Sequence, residues 1–296
     1  MDSSPNLARI FCRYAVSDRA CPRDDGLRGW SARNIIVTGA ARRLVRGRRP
    51  HMSEAHLLLA TGMFLGAALY SSVGHAGASA YIALMALFSV PPPVMRPTAL
   101  TLNVLVASFA SYRYIWAGFF RWRVVWPFLI GAVPFAFLGG SIELPGAYYR
   151  PIVGVVLLIS AGRFLWPAAI AAAREPRDPP IWLAAVLGAG IGFLSGLTGT
   201  GGGIFLSPLV IFLGWSDLRT TSGIAALFIL SNSTAGLFGN LAIVRSLPPE
   251  LPLYAAAVIL GAFVGTAFGT KFNIGFIQRA LGLVLVVAGF KLIGIY

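Results

Sequence analysis

Gly192-Phe-Leu-Ser-Gly-Leu-Thr-Gly-Thr-Gly-Gly-Gly-Ile-Phe-Leu-Ser-Pro208 lies in the middle of an apolar segment running from about Trp182 to Gly214. Five glycines fall between Gly196 and Gly203, with Thr198 and Thr200 among them and no charged residue. A glycine in a helix interior costs roughly 1 kcal/mol relative to alanine, so the run predicts a helix broken inside an apolar segment. At membrane depth, irregular backbone is tolerated only where protein buries it or where it lines a polar cavity. The stretch is therefore the first candidate for a binding site, with Ser195, Thr198, Gly199, Thr200, Gly201, Gly202 and Gly203 as its groups.

Composition places the whole chain in the membrane class: 57% of residues are apolar, 11% are charged, and mean hydropathy is +0.76. A formal charge of +14 would suggest nucleic acid in a soluble protein, but the distribution argues against that partner. Of the 24 Lys and Arg, eleven lie in residues 1–51, and most others sit at the ends of apolar segments, as topology signals do. Cys12 and Cys21 are separated by eight residues in that N-terminal stretch, away from any His/Cys cluster. Neither a metal site nor a disulfide framework is read there.

Three readings compete for residues 1–51: a basic, poorly ordered cytoplasmic arm, a targeting peptide, or sequence upstream of a native start at Met52. The targeting reading lacks a clean apolar stretch followed by a small-residue cleavage site. N-terminal sequencing of the native protein tests the third.

From Met52 onward apolar segments follow one another. The first, about Ala55 to Phe88, is split by Val73-Gly-His-Ala-Gly-Ala78 and closed by Pro91-Pro92-Pro93. Then come about Thr98–Phe120, Val124–Ile142 and Arg150–Ala173. After a charged, proline-bearing linker at 174–180 come Trp182–Gly214, Arg219–Val244, Leu253–Phe272 and Gly275–Tyr296. Most are near the ~20 residues that span a bilayer. The two glycine-split segments are longer and are drawn as pairs of short helices.

The pattern repeats. Val73–Ala78 falls at the place of Thr198–Gly203, Arg96-Pro-Thr98 matches Arg219-Thr-Thr221, and Gly131-Ala132 matches Gly261-Ala262. The expected fold is an all-α membrane protein of two homologous repeats, 52–173 and 181–296. Each holds about four to five transmembrane helices with glycine-broken helices at corresponding positions. Such duplication points to a secondary transporter with a site near the midplane. One crossing per split segment gives four helices per copy and parallel copies; odd counts invert the second copy. Charge counting favours four, placing Arg121, Arg123, Arg174, Arg177 and Arg245 on the side of the N-terminus. Gly261-x-x-x-Gly265-x-x-x-Gly269 and Gly275, Gly282 and Gly289 predict close helix packing within one subunit.

A nucleotide-loop reading of Gly199–Gly203 fails, because no Lys-Ser/Thr follows the glycines and no βαβ unit surrounds them. Such a backbone can present unpaired N–H groups and the positive end of the following half-helix to an anion. Gly74, His75 and Gly77 would do the same from the first copy. Thr98 and Asn103, and Thr221, Ser222 and Asn232, are the polar complement on the next segment of each copy. His75 titrates near neutrality and suits proton coupling; the alternative is a neutral histidine bonding loop carbonyls. Arg96 and Arg219 begin matching helices, either to attract an anion or to anchor at the interface. No Asp or Glu sits mid-segment, which argues against a carboxylate-lined cation pathway. No catalytic set, metal cluster or cofactor motif is present, so an intramembrane enzyme is a weak alternative.

Gly190-x-Gly-x-x-Ser-Gly-Leu-Thr-Gly-x-Gly-Gly-Gly-x-x-x-x-Pro208, with Gly74-His-Ala-Gly-Ala78 and Arg96-Pro-Thr-Ala-Leu-x-Leu-Asn103, resembles the sulfite exporter TauE/SafE family across residues 55–296. The resemblance implies a multi-pass inner-membrane carrier with two related halves. It also implies export of sulfite, a sulfonate or a related sulfur or organic oxyanion on an ion gradient, without an ATP-binding subunit. His75 departs from the plainer glycine pattern of that family. The partners expected are a small anion, the lipid bilayer and H+ as coupling ion; a passive anion channel is the alternative.

Overall fold

Glycine and proline divide the chain into helices. Residues 54–72, 74–165, 177–241, 247–268 and 274–294 are described by a computed structural model. They form α1 (Glu54–Ser72), α2 (Ala78–Leu87), α3 (Pro92–Trp116), α4 (Trp122–Ser141), α5 (Gly146–Leu165), α6 (Ile181–Thr198), α7 (Gly203–Phe212), α8 (Leu218–Leu241), α9 (Leu251–Phe268) and α10 (Ile274–Ile293). No strand occurs among the described residues. The basic stretch 1–51, Val73 and linker residues 174–176 lie outside them. Glu54–Ser72, Trp122–Ser141, Ile181–Thr198 and Arg219–Leu241 are long and apolar enough to cross a membrane.

Each glycine-split segment becomes a long helix followed by a short one. α1 has 19 residues and α2 has 10; α6 has 18 and α7 has 10. At 1.5 Å per residue the short helices reach about 15 Å, half the bilayer core. Gly62 lies against Leu84 and Gly66 against Ala80, so α2 folds back along α1. The reversals use left-handed backbone at Gly74 and Gly77 (φ 77° and 93°) and at Gly199, Gly201 and Gly202 (φ 86°, 79° and 77°). Glycine enters that region without a Cβ penalty. The prolines after α2 also open α3, where the first turn has no use for their missing N–H.

The long broken helices seat on the far part of the chain. α6 runs parallel to α4, with Gly188 on Phe128, Gly192 on Ala132 and Gly196 on Ala136. α1 runs parallel to α9, with Gly261 on Phe64 and Gly265 on Ala68. At each of these positions a Cβ would strike a backbone carbonyl, so the small-residue ridges set the interhelical distance. Gly289 likewise meets Gly154 and Leu158 of α5. These glycines pack within the subunit, as their spacing predicts; Gly269 is outside the described residues. α3 and α8 run antiparallel through the middle, with Phe119 by Gly223, Asn103 by Ser233 and Leu100 by Gly236.

The arrangement favoured by charge counting is not the one seen. α3 runs beside α9 in the same direction, through Phe109–Phe263 (centroids 6.3 Å apart) and Arg113–Thr266 (2.9 Å). Since α9 follows α1, α1 and α3 begin at one end and α4 at the other. At that other end Arg121 bonds Asp178 at 2.8 Å, Arg123 lies 3.7 Å from the same carboxylate, and Trp116, Trp122 and Trp182 are exposed. Arg121, Arg123 and Arg177 therefore lie opposite the start of α1. The return of α2 adds a reversal that a four-helix count lacks. Arg174 and Arg245 are outside the described residues.

Asp217 caps α8. Its carboxylate accepts the Arg219 N–H at 3.1 Å and the Thr220 N–H at 3.2 Å. Burial pushes the carboxyl pKa up and is the largest single influence, but hydrogen bonds from Thr220 and Arg219 together outweigh it and hold the group below its ordinary value. A depressed native pKa stabilises above the unfolded pKa, and that contribution is lost as pH falls through the native one. Asp217→Ala is expected to lower stability by about 1 kcal/mol at neutral pH, with the gap to the parent shrinking on acidification. Melting curves of both proteins across pH check the size and the direction.

Candidate functional site

The second glycine break begins where α6 ends. Thr198 donates its hydroxyl to the Leu194 carbonyl at 2.7 Å and meets the Thr200 hydroxyl at 3.0 Å, both residues being buried. The Gly199 N–H closes the last turn on the Ser195 carbonyl at 2.8 Å. Left-handed glycines then carry the chain to the start of α7, where Phe205 and Leu206 donate to the Gly202 carbonyl. Among the described residues, no protein acceptor takes the N–H of Gly201, Gly202, Gly203 or Ile204. All four residues are buried. Buried N–H groups require partners, and a cluster of them at a helix N-terminus favours negative charge.

Side chains from α3 and α8 enclose this backbone. Asn103 accepts the Ala78 N–H on Oδ1 at 3.1 Å and donates Nδ2 to Ser233 Oγ at 3.0 Å. One amide thus ties the first N–H of α2 to α8, and its nitrogen sits where a Cβ on Gly201 would be. Asn232 is 0% exposed, neither its Nδ2 nor its Oδ1 has a protein partner, and Nδ2 is 3.2 Å from the place of a Cβ on Gly202. Thr98 and Ser195 are also buried with unpartnered hydroxyls.

The first break meets the second through His75, whose Nε2 lies 3.2 Å from the Gly203 carbonyl and 3.0 Å from Ser207 Oγ. The Tyr70 ring stands edge-on to the imidazole, with centroids 6.4 Å apart. Gly77 is the left-handed cap of α2, and a Cβ there would come within 2.8 Å of the Tyr81 hydroxyl. That hydroxyl donates to the Ala76 carbonyl at 2.6 Å.

The structure gathers His75, Asn103, Gly201, Gly202, Gly203 and Asn232. It does not bring Thr221 and Ser222 to the same place. Thr221 donates to the Asp217 carbonyl at 2.6 Å, and Ser222 bonds Tyr114. These two lie ten and eleven residues before Asn232 on α8, about 15 Å along the axis, and Gly74, next to His75, packs on Ser222 between the two places. Arg96 and Arg219 do not hold like positions either. Arg96 is buried and donates to the carbonyls of Gly139 (2.6 Å), Gly140 and Ile142 (2.8 Å), capping the C-terminus of α4 while its stem packs on Gly199. Arg219 is exposed and lies over the Phe119 ring, 5.8 Å from its centroid.

Two contributors escape a sequence reading of the site. Ser207 is the polar side chain of the otherwise apolar α7, one turn after Gly203. Ser233 stands in the polar run Ser231-Asn-Ser-Thr234 that the sequence sets toward a cavity, but nothing local pairs it with Asn103. Tyr149, which donates to the Thr198 carbonyl at 3.0 Å, carries no local signal.

The chain matches the family described as Sulfite exporter TauE/SafE over residues 58–292. It is similar to a protein of Sinorhizobium fredii (strain NBRC 101917 / NGR234) named Probable membrane transporter protein y4hK, with 39% identity over 239 residues, 79% of this chain and 97% of that protein. No solved structure matches.

Proposed function

The chain belongs to the sulfite exporter TauE/SafE family of membrane transporters, and from that premise we propose that it is a secondary transporter of a small oxyanion. The cargo is sulfite, a sulfonate or a related sulfur or organic oxyanion, exported across the cell inner membrane on an ion gradient. The observation that carries the anion reading is the run of buried, unpartnered N–H groups from Gly201 to Ile204 beside Asn232. The described carboxylates, Glu54, Glu143, Asp178, Asp217 and Glu250, all lie at helix ends, so none repels an anion from the middle. The experiment is a panel of oxyanions tested for thermal stabilisation of the purified protein, because a ligand of the native state raises apparent stability. A panel in which no anion shifts the melting temperature overturns the reading. Flux that no ion gradient can concentrate would make the protein a channel.

In the same reading the two halves are inverted copies of five helices. The matching helix lengths, the left-handed glycines at Gly74 and Gly199 and at Gly77 and Gly202, and the exchanged seating of α6 on α4 and α1 on α9 support it. Rocking of one half on the other then gives alternating access. The end bearing Arg121, Arg123 and Arg177 faces the cytoplasm by the positive-inside rule.

His75 is the proposed proton-coupling group, since it joins the two breaks and imidazole is the side chain whose ordinary charge change lies nearest neutral pH. His75→Ala is expected to flatten the pH dependence of efflux from proteoliposomes while anion-induced stabilisation is retained. A pH profile that matches the parent returns His75 to a structural role.

A further inference from the structure

We propose that the ligand recognised at Gly201–Ile204 is a monoanion carrying a hydrogen-bond donor of its own, in preference to a fully ionised oxyanion. Hydrogen oxyanions and hydroxy-bearing sulfonates form this class. The proposal rests on the anion-transport reading and narrows its substrate class.

Asn232 carries the argument. It is wholly buried against Gly202, and both ends of its amide lack a protein partner. Exchanging the assignment of its oxygen and nitrogen therefore changes nothing. An amide offers two donors and an acceptor. The N–H groups of Gly201 to Ile204 and the amide NH2 together form a donor set suited to the oxygens of an anion. The amide oxygen has a different requirement. A fully ionised oxyanion would turn only lone pairs toward it, leaving the acceptor unpaired and adding repulsion. A ligand with an O–H or N–H satisfies it.

Charge points the same way. Arg96 turns both terminal guanidinium nitrogens to the carbonyls of Gly139, Gly140 and Ile142, so while His75 is neutral the anion's partners at the break are neutral dipoles. A single negative charge can be held by such dipoles, whereas a second would be desolvated without a countercharge.

The test uses the purified full chain at one pH and ionic strength, so that titration of His75 does not enter. Ethanesulfonate and 2-hydroxyethanesulfonate, monoanions of similar size, are compared by ligand-induced thermal stabilisation, as are sulfate and sulfite at a mildly acidic pH where hydrogen sulfite predominates. The donor-bearing member of each pair is expected to bind about tenfold more tightly or better. Asn232→Leu, close in shape, is expected to bring the members to within about twofold. If that variant does not fold, Asn232→Ala takes its place, and the parent comparison decides alone if neither folds. Equal binding within whichever pair binds, or a preference that survives in the variant, overturns the proposal and leaves the anion reading standing. Binding of none of the four overturns both.

Discussion

Gly202→Val is expected to abolish transport while the protein still inserts in the membrane. The backbone at Gly202 has φ 77°, a region that costs an L residue roughly 1–2 kcal/mol and suits a β-branched one least. A Cβ there would lie 2.9 Å from the Ile191 methyl, 3.2 Å from the Asn232 amide nitrogen and 3.2 Å from the Phe228 ring. Overpacking of this kind adds about 1–3 kcal/mol. Relief requires rotating the backbone, which redirects the N–H groups of Gly202 and Gly203, or displacing Ile191, Asn232 and Phe228. Either disturbs the proposed anion site, while the glycine ridge of α6 on α4 keeps its packing. Gly201→Val acts in the same direction, because its Cβ would fall on the Asn103 amide. Gly202→Ala carries the backbone cost with a smaller clash and is expected to fall between. Efflux of labelled anion from proteoliposomes, normalised to inserted protein, measures the series. Parent-level flux in both valine variants would remove the break from the site.

Asn103→Leu is expected to give the largest loss of stability from one polar side chain. The change keeps the approximate shape and removes both bonds, leaving the Ala78 N–H and the Ser233 hydroxyl buried without their partner. Each orphaned group costs about 1–3 kcal/mol, so a fall of about 2–5 kcal/mol is expected. The site also loses its frame, since Asn103 is the bond that joins α2, α3 and α8. Stabilisation by anions should therefore shrink more than in a variant of equal melting temperature altered elsewhere. Combining Asn103→Leu with Ser233→Ala should cost less than the sum of the single changes, because the second removes a group the first has already orphaned. A melting temperature within a degree of the parent would show that the bridge contributes little.

Much of this architecture was legible along the chain. The breaks at 73–78 and 198–203 are visible because glycine is the one residue that takes left-handed backbone at no steric cost, and several cluster there. The ridge Gly261-x-x-x-Gly265 announced a close helix contact, and α9 on α1 is that contact. What stayed hidden depends on distant partners. Charge counting sees ends of segments but not the return of α2, so it placed Arg121 and Arg123 on the wrong side of α1. Arg96 and Arg219 look alike in sequence, yet Arg96 is buried on the carbonyls at the end of α4 and Arg219 is exposed over the Phe119 ring. Thr98, Asn103 and Asn232 could be chosen as polar residues in apolar helices, but their different fates, bridged or unpartnered, are decided by the helix each one faces. Thr221 and Ser222 are polar residues of the same kind, yet Thr221 bonds the Asp217 carbonyl and Ser222 bonds Tyr114.

The seating of α1 on α9 has a consequence for biosynthesis. The carbonyl of Phe64 waits for Gly261, about 200 residues further along the chain. At roughly 5–20 residues per second, the ribosome delivers that partner about ten to forty seconds after α1 emerges. α6, in contrast, finds α4 already made. The second broken helix can dock as soon as it leaves the translocon, whereas the first has no seat until α9 is made. A chain stopped after α8 would then contain eight of the ten described helices and a docked second break, yet α1 would have no seat.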